Sequence, residues 1–136
     1  MPIAAGQTIS QPYIVAVMTE ALALRGSETV LEIGTGSGYA AAVLGCVAKQ
    51  VYTIERIAEL AEVARERLAR AYPNVTVQFG DGTLGWPEHA PFDAIVAAAG
   101  GPDVPRVLLD QLAIGGRLVM PIGSSRAQEL VRVTRV

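Results

Sequence analysis

The 136 residues include one cysteine and one histidine. A lone cysteine forbids a disulfide within the chain, and with a single histidine beside it a zinc site is not expected. Cys46 lies among Val43, Leu44 and Val47, where a small buried hydrophobe is expected rather than a nucleophile. Charged residues make up 18% of the chain, the net charge is −2, and there is no long basic run. That argues against a nucleic-acid surface built on positive charge. No apolar stretch reaches the length of a bilayer span without a glycine or a charge. Residues 1–6 lack the basic segment and apolar core of a secretory signal, so a cytoplasmic location is expected by default. What the chain has is apolar mass. It is 51% hydrophobic, which argues against disorder and for one domain with a real core over residues 1–136.

That mass is distributed in short runs. Strands are predicted over 29–33, 51–55, 75–79, 92–98 and 117–121. Ser10 suits a helix N-cap and Pro12 its first turn, with Ile14, Met18, Ala21 and Leu22 on one apolar face and Gly26 as the stop. Further helices are predicted over 37–48 and 57–71, and a short one from Pro105 through Val107, Leu108 and Leu112. In the 57–71 helix, Leu60, Ala64 and Leu68 should face inward, while Glu59, Glu62, Arg65, Glu66 and Arg70 form a solvated face. After a turn at 123–127, residues 129–136 alternate like an edge strand. Strands alternating with helices indicate an α/β fold, with a doubly wound, mostly parallel sheet and a C-terminal antiparallel edge strand.

The most informative stretch is Val30-Leu-Glu-Ile-Gly-Thr-Gly-Ser-Gly-Tyr39. An apolar strand enters three glycines and an Ala-rich helix follows. Glycine lets a ligand approach the main chain, and the helix start offers unpaired N–H groups. The dinucleotide fingerprint is Gly-x-Gly-x-x-Gly. Here the third glycine comes one residue early and Tyr39 occupies the dinucleotide slot. Glu32-x-Gly34-x-Gly36-x-Gly38 instead resembles motif I of the class I S-adenosyl-L-methionine (AdoMet) methyltransferases. A tight turn that uses glycine for packing alone is the alternative. Glu55 ends the second strand, 19 residues after Gly36. That is the spacing of an acid that accepts ribose hydroxyls, or of a carboxylate that caps the next helix. Asp81 also follows a strand, so the glycines, Glu55 and Asp81 should meet on one sheet edge.

Two further stretches, Gly6-Gln-Thr-Ile-Ser-Gln-Pro-Tyr13 and Gly80-Asp-Gly-Thr-Leu-Gly-Trp-Pro87, join Val30–Tyr39, Phe92–Gly100 and Gly115–Gly123 in a pattern over nearly the whole chain. Together they resemble the protein-L-isoaspartate O-methyltransferases. The resemblance implies that AdoMet is bound, with S-adenosyl-L-homocysteine as product. It implies that Gly34–Gly38, with Glu32, Thr35, Ser37 and Tyr39, hold the methionine portion. It assigns Glu55 to the ribose and Asp81 and Gly82 to the flanks of the adenine, with Arg56 also among the cofactor-binding residues. Thr8, Ile9 and Ser10 would lie against the sulfonium and the incoming carboxylate, with Ser10 in the catalytic position as well as at the helix cap. The implied reaction is methyl transfer to the free carboxylate of an isoaspartyl residue in a damaged protein or peptide. A carboxyl group with a pKa of about 4 is already ionised at neutral pH and needs no general base. The chain accordingly carries no obvious acid–base dyad. Val96-Ala-Ala-Ala-Gly100 stands where amino-group methyltransferases carry Asn-Pro-Pro-Tyr, which weighs against nucleobase methylation.

His89, in the loop 86–91, is expected at the surface, and Trp86 either shields the cofactor or covers the core. Relative to the family, an N-terminal helical segment before Gly6 and a C-terminal strand and tail after Val136 are expected to be missing. An apolar edge left by that gap would favour self-association. A non-catalytic AdoMet-binding module and a small-molecule methyltransferase are the competing readings.

Overall fold

In the computed structural model, described here for residues 12–98, 100–124 and 127–136, a six-stranded sheet runs in the order β3-β2-β1-β4-β5-β6. The strands are β1 (Thr29–Ile33), β2 (Gln50–Glu55), β3 (Val75–Phe79), β4 (Phe92–Ala97), β5 (Leu112–Ser124) and β6 (Ala127–Thr134). The first five are parallel and β6 pairs antiparallel with β5. Helices α1 (Pro12–Ala21), α2 (Tyr39–Val47), α3 (Ala58–Ala69) and α4 (Arg106–Asp110) connect or flank them. Strand order reverses between β1 and β4, so the carboxyl ends of these two strands frame the crevice where such sheets bind ligands.

Both faces of the sheet are covered, so the central strands β1 and β4 bury consecutive apolar residues on both sides rather than alternating. Successive residues of β1 point to opposite faces. Val30 joins Met18, Leu22, Ala41, Leu44, Ala64 and Leu68 under α1–α3. Leu31 joins Ile54, Phe92, Ile95, Leu108 and Leu118 on the other side, with α4 and Trp86.

Several expectations shift by a residue or two. The apolar stripe of α1 is Val15, Met18 and Leu22, which leaves Ile14 41% exposed. In α3 the inward residues are Ala61, Ala64 and Leu68, and Leu60 is 37% exposed. Helix α2 buries Ala41 and Leu44, so Cys46 falls on the opposite side and is exposed, not buried. Helix α1 stops before Gly26. Ala23 takes the left-handed turn (φ 52°), and the Arg117 guanidinium donates to the carbonyls of Leu22 and Ala23. Helix α4 is only Arg106–Asp110, because Leu112 already belongs to β5. Strand β5 bulges at Gly115–Gly116 instead of starting after them, and the register against β4 slips there. The predicted cap Ser10 lies outside the described residues.

After β4 the chain passes so close to β5 that a Cβ on Gly100 would fall 1.5 Å from the Pro121 carbonyl oxygen. Gln111 clamps the connection after β3 from the other side. Its Oε1 accepts the Trp86 N–H at 2.8 Å and its Nε2 donates to the Leu84 carbonyl at 3.0 Å. Gln111→Ala leaves both backbone groups without these partners and is expected to lower stability by about 1–3 kcal/mol in urea unfolding. An unchanged midpoint would show that water replaces the amide at no cost.

Candidate cofactor site

Gly34, Gly36 and Gly38 have φ of 93°, 55° and 91°, the left-handed region that side chains disfavour. The three differ in their surroundings. A Cβ on Gly38 would press on Leu68 Cδ1 at 3.3 Å, so this glycine serves the packing of the loop on α3. A Cβ on Gly34 or Gly36 would meet nothing within 4 Å. Packing alone therefore accounts for Gly38 only, and the other two leave an open cradle of main chain. Helix α2 begins behind them with no side-chain cap, so its first N–H groups face the same side. Ser37 and Tyr39 are exposed at the rim.

Glu55 ties this loop to its neighbours. Its side chain is buried, with Oε1 accepting the Gly36 N–H at 2.9 Å and Oε2 accepting the Ile57 N–H at 3.0 Å. Its main-chain oxygen accepts the Gly80 N–H at 2.9 Å. Ile57 is the N-cap residue of α3, which has no side-chain cap, so Glu55 holds the start of that helix as a buried carboxylate rather than a solvated one. A carboxylate has about four acceptor positions. With one used on each oxygen, Glu55 keeps one acceptor position per oxygen, which is what a vicinal diol requires. Arg56 is exposed beside it and makes no hydrogen bond among the described residues.

The loop after β3 reaches the same edge. Asp81 caps the 3₁₀ turn Gly82–Leu84, its Oδ1 accepting from the Thr83 hydroxyl at 2.7 Å and the Thr83 N–H at 3.0 Å. Those bonds hold the Asp81 carboxyl below its ordinary pKa. A Cβ on Gly82 would come within 2.5 Å of Ile33 Cγ2, so the turn packs directly on the end of β1. The sheet thus brings Gly34, Gly36, Glu55, Asp81 and Gly82 together as expected. Thr8, Ile9 and Ser10 lie outside the described residues. Trp86 is buried in the second core cluster, edge-on to Tyr52 at 5.1 Å, so it covers the core. His89 is exposed as expected, but its ring stacks on Tyr52 at 4.1 Å.

Beneath the cradle lies a group the sequence reading missed. Thr53 is fully buried on β2, donates to Glu32 Oε1 at 2.6 Å and shares a 2.6 Å hydrogen bond with the Thr35 hydroxyl. Burial raises the pKa of Glu32 to about 8, the Thr53 hydroxyl opposing the shift and the Glu55 charge adding to it. The available signal was a polar residue in a strand that is otherwise apolar, two positions before Glu55 and facing the same side. Among the described residues no group of His, Cys, Asp and Glu side chains could hold a metal ion, and no helix is long and apolar enough to cross a membrane.

The family model described as protein-L-isoaspartate(D-aspartate) O-methyltransferase matches residues 1–136. A protein-L-isoaspartate O-methyltransferase 2 from Pelobacter propionicus is 65% identical over 137 residues, covering 99% of this chain and 61% of that protein. The protein-L-isoaspartate O-methyltransferase of Rhodopseudomonas palustris is 64% identical over 138 residues, covering 100% of this chain and 63% of that protein. The chain therefore spans about three fifths of the length of these relatives. A solved protein-L-isoaspartate O-methyltransferase superposes with a TM-score of 0.87 at 34% identity, over 97% of this chain and 44% of its own. A Plasmodium falciparum protein assigned to the same enzyme, solved in complex with S-adenosyl-L-homocysteine, gives 0.75 at 25% identity, over 99% of this chain and 71% of its own. Fold, motifs and relatives agree: the chain belongs to the protein-L-isoaspartate(D-aspartate) O-methyltransferase family.

Proposed function

We propose that this chain binds AdoMet at the β1–β2–β3 edge and forms the methyl-transfer core of an enzyme that methylates the free carboxylate of L-isoaspartyl residues in damaged proteins. The observation that carries the cofactor part is Glu55. It sits beside Gly34 and Gly36, where an added Cβ would meet no described atom within 4 Å, bound to Gly36 and Ile57, with one acceptor left on each oxygen. In this reading Gly34, Thr35, Gly36, Ser37, Gly38 and Tyr39 receive the methionine portion, with Glu32 below them. Glu55 accepts the ribose hydroxyls, Arg56 lies alongside, and Asp81 with Gly82 flanks the adenine. Thr8, Ile9 and Ser10 are assigned to the sulfonium and the incoming carboxylate by family membership.

When bound, AdoMet supplies a methyl group on a sulfonium, ready for transfer to a nucleophile. The substrate carboxylate is already ionised at neutral pH, so the chain has no proton to abstract. Its work is alignment, holding the acceptor oxygen in line with the methyl group. The single histidine fits that requirement, since His89 is stacked on Tyr52 and lies outside the glycine cradle. The methyl ester then cyclises without the enzyme, which opens a route back to normal aspartate. A cytoplasmic location accompanies this reading, as does edge-to-edge pairing of two chains through β6, where Leu130 is exposed.

Glu55→Ala should weaken S-adenosyl-L-homocysteine binding by roughly 1.5–3 kcal/mol, measured by calorimetry. Unchanged affinity would remove Glu55 from the ribose role. The 136-residue chain is expected to methylate an isoaspartyl peptide in preference to its aspartyl twin in a labelled-AdoMet assay. Equal or absent labelling would overturn the substrate assignment. Sedimentation at rising concentration tests the pairing through β6, which a monomer at every concentration would contradict.

A further inference from the structure

Glu32, Thr53 and Thr35 form a polar chain beneath the glycine loop, with exposures of 2%, 0% and 3%. Thr53 donates to Glu32 Oε1. While Glu32 is ionised it can only accept from Thr53, so the bond between the two threonines is then donated by Thr35. A protonated Glu32 can donate from Oε1 to Thr53, which frees the Thr53 proton for Thr35, or carry its proton on Oε2. That oxygen has no hydrogen-bond partner among the described residues. Glu32 also lines the small, partly open cavity between α1, α2 and β4. Among the described residues, α1 adds Thr19 as its one polar group there, α2 and β4 add only apolar side chains, and Glu55 on β2 is the charged group whose field reaches Glu32. No described cation balances the acid, and burial keeps its proton on until about pH 8.

We propose that Thr53 is a positioning residue of the cofactor site: it fixes the Glu32 carboxyl with Oε2 toward the cavity, and Glu32 gives up its proton as the ammonium group of the cofactor's amino-acid end, which AdoMet and S-adenosyl-L-homocysteine share, settles on the loop above. This rests on the AdoMet reading. The sign follows from the direction of the shift. If Glu32 is neutral in the free protein and ionised in the complex, binding releases a proton and tightens as pH rises. The gain ends where free Glu32 ionises by itself, near pH 8. Thr53 would set that point, because its hydroxyl bond favours the ionised acid.

The test is calorimetry of the 136-residue chain with S-adenosyl-L-homocysteine at pH 7, in two buffers of different ionisation enthalpy. Most of one proton should be released per cofactor bound, with affinity rising by up to about tenfold per pH unit below the plateau. Glu32→Gln should bind without releasing a proton, and a release that persists in that variant would overturn the assignment to Glu32. Thr53→Val keeps the shape but removes the donor, so the plateau should begin at higher pH, and Thr53→Ser should restore it. A role in packing alone would change stability without moving that pH, and an unmoved plateau in Thr53→Val overturns the positioning role. Binding by the unmodified chain with no proton release overturns this inference and leaves the AdoMet reading intact. No binding at all overturns both.

Discussion

The carboxylate of Glu55 is shared by two backbone N–H groups, and the geometry of the site follows from that sharing. One oxygen holds Gly36 and the other holds Ile57, while the residue's own carbonyl holds Gly80. The loops after β1, β2 and β3 are thereby joined at a single residue. Bonds from N–H groups to a charged acceptor contribute about 1.5–3 kcal/mol each, more than neutral ones. Three glycines with left-handed backbones would otherwise form a floppy turn, since glycine loses more freedom on ordering than any other residue. Glu55 offsets part of that cost before a ligand arrives.

A second polar layer lies under the first and follows a different rule. Glu55 is satisfied by main chain, whereas among the described residues Glu32 has no cation beside it and a single hydroxyl as partner. An isolated ionised carboxylate in such a place costs several kcal/mol, and the usual remedy is to keep the proton. The upward shift of Glu32 is that remedy. The two acids thus differ in environment while lying one strand apart, at paired ends of β1 and β2. A neutral acid lies below the glycine loop and a main-chain-bound acid beside it. Helix α1 lines the cavity beside Glu32 through Val15, Met18 and Thr19, so the packing of that helix also shapes the surroundings of the acid.

Strand limits, and the grouping of Gly34, Gly36, Glu55 and Asp81 at one sheet edge, were legible in the sequence because loops at strand ends follow short-range rules. β1 and β3 match their predicted bounds, since apolar runs bounded by Gly, Pro and Asn leave little latitude. Helix phase was less legible. Ile14 and Leu60 are each one position away from a buried residue and Cys46 is two away, and in an Ala- and Val-rich helix several neighbouring stripes are nearly equally apolar. The end of α1 was misplaced because its stop comes from the distant Arg117, which no local signal reveals. The glycines needed geometry to be separated. Gly38 packs against Leu68 while Gly34 and Gly36 face open space, though all three look alike in the motif. Thr53 escaped notice because a lone threonine in a strand is ordinarily a strand former, and only the fold shows it lying between Glu32 and Thr35.

The central claim is that this edge is an AdoMet site organised by Glu55. A structure of the chain with S-adenosyl-L-homocysteine tests it most directly. The account predicts the ribose hydroxyls on the two Glu55 oxygens, with the Gly36 and Ile57 N–H bonds kept, and the homocysteine end over Gly34 and Gly36. A nucleoside bound elsewhere, or a Glu55 side chain that must release Gly36 to reach the ribose, would contradict it.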